Sequence, residues 1–457
     1  MKGSDFSVNA QSSSSFGTES VGRLLLRLAP PVMMAQLIQA LYNIVDSYFV
    51  GQYSPEGLAA LSVLFPIQQL ISALSLGAGI GVNTVMSRYD GLSRKDSADE
   101  AAGAGLIMAF LACAVFALIS CSIMDAFVGI SLTNPQAQQY ASTYGKIICG
   151  FSLGLFLEGN WTNVLRARGD TKTPMIAQAV GAGVNILMAW LLIFGIWVFP
   201  EMGIAGAAFA LVGGQFASAL IVGLKARQKI PSVKQCGKYV KMIYKAGAPH
   251  IVMNALSTIY VICINLILVS FSDEAVTVLG LYNKLQGFFL CPAVGITTCI
   301  IPVLSYNYAA GQFSRCRMVM RKSVASCLAF LGVGTLIFCL FPTQLLGIFA
   351  EGEAHILDIG AVALRIISTS YIPMAFAFPL TVFFQAIGKG KQSIFLSTLR
   401  EIILLIPLAW IFSFLGLTYV WIAFPAAELI AAVTACILYR KSFLNELPKS
   451  ALNGHAG

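Results

Sequence analysis

Apolar residues run along this chain in twelve long stretches, each bounded by charges or by Gly/Pro clusters. They fall at about 28–50, 57–88, 101–124, 138–165, 173–199 and 203–226, and again at 246–271, 275–308, 320–343, 357–388, 393–415 and 418–439. Runs of roughly 20 to 30 residues match the length of a helix that crosses a bilayer. An open sheet leaves backbone groups unsatisfied in lipid, and a barrel shows short alternating strands. The pattern therefore predicts an all-α integral membrane protein with twelve transmembrane helices.

Lysine and arginine fall in alternate connections: Arg88, Arg94 and Lys95; Arg166, Arg168 and Lys172; Lys225 to Lys245; Arg315 to Lys322; Lys389 and Lys391; Arg440 and Lys441. Such loops stay in the cytoplasm, so both termini are expected inside. The longest polar connection sits mid-chain, and sliding the chain by 218 residues puts Pro31 on Pro249, Gln68 on Gln286, Gly77 on Gly295 and Ser87 on Ser305. A shift of 219 brings Arg-Ala-Arg-Gly (166–169) onto Gln-Ala-Ile-Gly (385–388). The expected layout is a cytoplasmic disordered tail at 1–22, a six-helix lobe at 23–228, a cytoplasmic linker at 229–245, a second six-helix lobe at 246–441 and a tail at 442–457. The lobes form a parallel pseudo-twofold repeat, a known plan of secondary transporters.

Composition narrows the class further. Of 457 residues 57% are apolar and 11% charged, against about 25% charged in soluble domains. Soluble, disordered and disulfide-scaffold classes are excluded together. The 11 cysteines occur singly, with no paired spacing for zinc, haem or a redox couple. A net charge of +9 is spread over many loops, as topology demands, and points to no nucleic acid. No Walker, Gly-x-Ser-x-Gly or nucleotide fingerprint occurs, so the chain reads as no enzyme and as drawing on an ion gradient, without a cofactor.

Candidate chemistry lies in charged residues at membrane depth, where an aspartate costs at least about 2.5 kcal/mol and needs a partner or a task. Asp46, Glu158, Glu401 and Glu428 qualify. Gln39, Tyr42, Asn43 and Asp46 share one face of the first span at helical spacing. Tyr144, Phe151, Leu155, Glu158 and Thr162 step similarly along the fourth, and Gln178 and Asn185 lie seven apart on the fifth. Three stripes in one half predict one cavity. Lone Asn, Gln and Tyr commonly serve as packing glue between helices; a carboxylate at this depth suits binding and release of a proton or sodium ion. Arg400 and Glu401 are sequence neighbours, about 100° apart on an α-helix, so no pairing within the dipeptide is expected. Glu428 and Lys284 either line a cavity or compensate one another.

These motifs carry a resemblance. LYNIVDSYFVG (41–51), SRYDG (87–91), LRARGDTKTP (165–174), PVLSYNYAAG (302–311) and FQAIGKGKQS (384–393) resemble the multidrug and toxic compound extrusion (MATE) family, DinF-like bacterial branch, of the multidrug/oligosaccharidyl-lipid/polysaccharide exporter superfamily. The resemblance spans 23–445. It implies a bacterial plasma-membrane antiporter, acting as a monomer, that exports drugs or toxic organic compounds by alternating access. It also implies that Asp46 is the first-span coupling aspartate, Pro31 the hinge proline, Gln39 and Tyr42 cavity positions, and Tyr144 and Asn185 members of the same site. The family's second aspartate, four residues after Asn185, is replaced by Ala189, and Leu211 stands where a span-six hydroxyl is expected. Glu158 is the substitute carboxylate. With Asp46 and Asn185 as the remaining ligands of a sodium site, the expected coupling ion is the proton, sodium being the alternative. Arg400, Glu401 and Glu428 are assigned with Gln178, Thr162 and Asn43 to the substrate cavity. The rival class is a flippase for a lipid-linked saccharide or phospholipid, which would use basic residues such as Lys146, Lys284, Arg365 and Arg400.

Overall fold

A computed structural model describes residues 15–347 and 354–446 of the chain. Among the described residues no strand occurs, and every one of the twelve apolar stretches is helical. The elements are α1 (Val21–Tyr53), α2 (Pro55–Gly91), α3 (Lys95–Ser131), α4 (Pro135–Gly150), α5 (Leu153–Ala167), α6 (Lys172–Phe194), α7 (Gly203–Lys225), α8 (Val233–Val269), α9 (Asp273–Ala309), α10 (Phe313–Leu340), α11 (Pro342–Gly347), α12 (Ala354–Ser368), α13 (Tyr371–Ala386), α14 (Gly390–Thr398), a π-helical segment (Leu399–Leu405), α15 (Ile406–Ser413) and α16 (Leu417–Glu446). Ten spans are long and apolar enough to cross a membrane as single units, and α12 with α13, bent by 48°, forms an eleventh. The fourth predicted span is α4 with α5, each too short alone.

Local sequence sets the helix starts. Ser54 Oγ accepts from Gly57 N at 3.2 Å, Asn134 Oδ1 from Gln136 N at 2.9 Å and Ser272 Oγ from Ala275 N at 3.2 Å. Pro55 and Pro135 follow the first two at the helical position where the missing N–H is harmless.

The chain divides into two compact units, one of Leu26–Asn254 and one that begins at Ala255 and takes in Glu19–Leu25. The repeat read in the sequence recurs in backbone detail. Gly169 and Gly388, aligned by the shift of 219, both turn with φ of +82°, a conformation that favours glycine. The break at Phe151–Ser152 in the fourth span lies 218 residues before the break at Thr369–Ser370 in the tenth.

Three boundaries differ from expectation. The segment 229–245, predicted as a linker, is helical from Val233, because Tyr239, Ile243 and Ala246 form an apolar stripe that packs on Val82, Met86 and Ala102. Its polar face is tied as well: Lys229 N donates to Asp99 O at 3.0 Å and Tyr239 Oη to Glu100 Oε2 at 2.7 Å. The predicted tail 1–22 is helical over 15–18, with Phe16 buried and Arg27 donating to Ser15 Oγ at 2.8 Å. Residues 1–14 lie outside the described residues. The tail from 442 continues α16 as far as Glu446, and 447–457 lie outside the description. The 11 cysteines are free, five of them buried.

Close packing in the first unit rests on small residues. A Cβ at Gly103 would lie 2.2 Å from Lys229 O, and backbone has little room to yield. Gly103→Val is expected to destabilise the protein by about 1–3 kcal/mol, through overpacking. Thermal unfolding of the purified variant checks this; an unchanged midpoint would contradict the close approach.

Candidate functional site

Two polar pockets lie inside the apolar helices, one in each unit. In the first unit Tyr42, Glu158, Gln178, Asn185, Leu211, Gln215 and Ser218 line a cavity of about 20 Å³, room for roughly one water-sized occupant. Both amide atoms of Asn185 are buried without a hydrogen-bond partner from the chain. Asp46 stands beside this cavity. Its Oδ1 is likewise buried and unpartnered, and it acts electrostatically on the hydroxyls of both Tyr42 and Tyr144. Glu158 also acts on Tyr42, as does the neighbouring Gln39 side chain. Both carboxylates thus act on the one hydroxyl of Tyr42. Tyr144 is fully buried, and its Oη accepts from Gln68 Nε2 at 3.0 Å.

The predicted stripes converge only in part. Asn43 is exposed, and Thr162 is half-buried outside the cavity lining. The fourth-span stripe is interrupted, since the break at Phe151–Ser152 puts Tyr144 on α4 and Glu158 on α5, with Phe151 exposed between them. Ala189 is completely buried in the apolar core and offers no oxygen. Leu211 does line the cavity, and the hydroxyl that span six lacks there is present seven residues on, where Ser218 lies beside Glu158. Ser218 and Gln68 escaped sequence reasoning, although the seven-residue step from Leu211 to Ser218 keeps one helical face. Pro31 follows Pro30 inside α1.

In the second unit Arg400 and Glu401 occupy the π-helical segment. Pro407 has no N–H for the carbonyl four residues back, and π turns appear mostly as single insertions at functional positions. The sequence expectation that Arg400 and Glu401 do not pair is overturned: Arg400 Nη2 donates to Glu401 Oε1. The 100° rule assumes α geometry, which this segment lacks. Arg400 Nε also lies 3.6 Å from Glu428 Oε1, so the arginine rather than Lys284 faces Glu428. Ser257 Oγ donates to Glu401 Oε1 at 3.1 Å. These groups line a cavity of about 160 Å³ with Tyr260, Tyr282, Phe378 and Phe424. Among the described residues no cluster of three or more His, Cys, Asp or Glu is placed to hold a metal ion.

Comparison with known proteins agrees with this architecture. The sequence pattern of the family described as MatE matches residues 31–191 and 249–411, one block for each half. Over 92% of its length the chain is 22% identical to a protein named "FAD transporter" from Shewanella oneidensis, covering 95% of that relative. It is 24% identical to "Probable multidrug resistance protein YoeA" of Bacillus subtilis, over 92% of the chain and 93% of the relative. Among solved structures, one described as a MATE in complex with MaL6 superposes with a TM-score of 0.88 at 22% identity, over 95% of this chain and 99% of that one.

Proposed function

The chain belongs to the MatE family of multidrug-efflux transporters, and on that premise we propose that it is a secondary active antiporter. It exports organic compounds, cationic or amphipathic, in exchange for protons entering the cell. The observation that carries this reading is the uncompensated Asp46, a buried carboxylate with an unpartnered oxygen on a membrane-spanning helix. Intramembrane acids without a partner are functional by default. The protein lies in the plasma membrane of a bacterium, with Pro31 as a hinge. Efflux of a cationic dye from proteoliposomes, with proton and sodium gradients imposed separately, tests the reading.

The flippase alternative draws less support. Three of the four basic residues it would use are engaged: Lys146 pairs with Asp125 at 2.7 Å, Arg365 donates to Cys339 O at 3.3 Å and Arg400 holds two glutamates. None is open to a pyrophosphate in the way a bidentate anion site requires.

Glu158 belongs to the same coupling device, because it and Asp46 act on one hydroxyl, that of Tyr42. That hydroxyl is the group through which the protonation of one acid is felt by the other. Glu158→Gln is expected to change the pH dependence of dye efflux, and its effect on rate should be non-additive with that of Asp46→Asn. Independent, additive effects in the double variant would separate the two acids.

A further inference from the structure

A charged pair lies on a face of the first unit that the coupling cavity does not use. Lys146 Nζ donates to Asp125 Oδ2 at 2.7 Å, and Ser142 Oγ donates to Asp125 Oδ1. Cys121 Sγ donates to Lys146 O at 3.7 Å, which places the pair on the seam between α3 and α4. The lysine side chain is 43% exposed and the aspartate 68%, whereas Asp46, Glu401 and Glu428 are buried. Next to them along α3 the exposed residues Leu118, Ile119 and Ile123 are apolar, as is Phe151 beyond α4. On a chain that spans a membrane, such a face meets lipid.

The depth of the pair follows from the helices that carry it. Asp125 comes directly after the apolar run 101–124, and Lys146 lies within the run 138–165. Above the lysine, the first turns of α4 read PQAQQYASTYG and are too polar for hydrocarbon. The pair therefore stands where hydrocarbon gives way to headgroups, at the end of the helices opposite the basic connections, which is the outer leaflet.

At that level the pair has hydrogen-bonding capacity to spare. An ammonium carries three N–H donors and a carboxylate about four acceptor positions; one donor is spent on Asp125, and two acceptor positions on Lys146 and Ser142. Its charges sum to zero, so a headgroup bearing both signs complements it and a purely anionic one is opposed by Asp125. A quaternary choline has no N–H to give the carboxylate. A primary ammonium has three.

We propose that the α3–α4 seam is a docking site for one outer-leaflet phospholipid with a zwitterionic phosphoethanolamine headgroup. Its ammonium donates to Asp125, a phosphate oxygen accepts from Lys146, and an acyl chain lies along Leu118, Ile123 and Phe151. The lipid is a bound neighbour of the protein and not its cargo, so the site does not depend on the export reading.

The test is native mass spectrometry of the full chain in a neutral detergent, titrated with phosphatidylethanolamine, phosphatidylcholine and phosphatidylglycerol of identical acyl chains. The wild-type protein is expected to hold one ethanolamine lipid about fivefold more tightly than either of the others, the scale of one exposed charge-assisted contact. Asp125→Asn leaves Lys146 as an uncompensated cation, so the glycerol lipid should then bind best and the advantage of ethanolamine over choline should fall below about twofold. Replacing both charges by leucine should remove all discrimination, and an apolar pair is tolerated on a lipid-facing surface. A phosphatidylethanolamine with a diazirine in its acyl chain should label peptides of α3 and α4 around Leu118 and Phe151, a readout that needs no variant. Equal wild-type affinity for the three lipids, an unchanged order of preference in Asp125→Asn, label confined to other helices, or a dimer that occupies this seam in place of lipid would each overturn the assignment. Loss of efflux with lipid selectivity intact would count against the antiporter reading and leave this site standing.

Discussion

Replacing Asp46 by asparagine is expected to bring gradient-driven dye efflux down to the level of protein-free vesicles while leaving the protein folded. The two side chains have the same shape, so packing of α1 is retained. Asp46 Oδ1 has no partner in the chain, so no hydrogen bond to that oxygen is lost, and a neutral amide is less costly to bury than a carboxylate. Stability should therefore change by no more than about 1 kcal/mol, in the range of changes that remove no named interaction. What the amide loses is the capacity to take a proton in one conformation and release it in the other. Without that differential binding the ion gradient has no purchase on the conformational equilibrium. The readout is paired: melting temperature and drug binding on the purified protein, and efflux in proteoliposomes. Efflux near the wild-type rate would make Asp46 a structural residue and move the coupling role elsewhere.

Much of the fold was legible because hydrocarbon imposes one rule: each span needs a long apolar run, and each run announces itself. The repeat was legible where backbone geometry demands a particular residue, as at Gly169 and Gly388. The breaks in the fourth and tenth spans were not, since neither Phe151–Ser152 nor Thr369–Ser370 contains a proline or glycine, and the one to three hydroxyl residues at each break are tolerated within a membrane helix. In the first unit, Tyr42, Glu158, Gln178 and Asn185 line one cavity. Asn43 satisfied the spacing of its stripe and is exposed, because a stripe four residues wide covers more of the helix than one small cavity can contact. Ser218 and Gln68 were hidden because their partners lie on other helices, Gln68 donating to Tyr144 Oη and Ser218 Oγ to Ala177 O, and spacing along one helix does not reveal such pairs. The Arg400–Glu401 pair was hidden by the π segment, which changes the angle between successive side chains without any composition signal. Lysines along 229–245 masked the apolar stripe that makes the segment a helix.

The coupling ion is where the two sites' chemistry makes the second large difference. A hard cation is bound by several oxygens converging on one point; for the divalent cases the number is about six or more. In the first unit the cavity beside Asp46 offers Glu158, Asn185, Gln178, Gln215, Ser218 and Tyr42, while Leu211 contributes none and Asp46 itself is not part of the lining. Glu158 lines this cavity while Asp46 does not, and both act electrostatically on the Tyr42 hydroxyl. That arrangement suits a proton, which needs a single acid and a hydroxyl to pass it on. With sodium absent, an inward proton gradient is expected to drive efflux at close to the maximal rate. The sign of the pH dependence follows: the carboxylate must be protonated from outside, so efflux falls as external pH rises at fixed internal pH. Adding sodium under that gradient should change the rate by less than twofold. The opposing outcome is equally definite. Strong efflux under an inward sodium gradient, with pH equal on both sides and a protonophore present, would mean that the cavity oxygens converge on sodium during the cycle, and the proton reading would fall. Asp46→Asn separates the cases further, since loss of proton-driven efflux with sodium-driven efflux retained would assign the two ions to different acids.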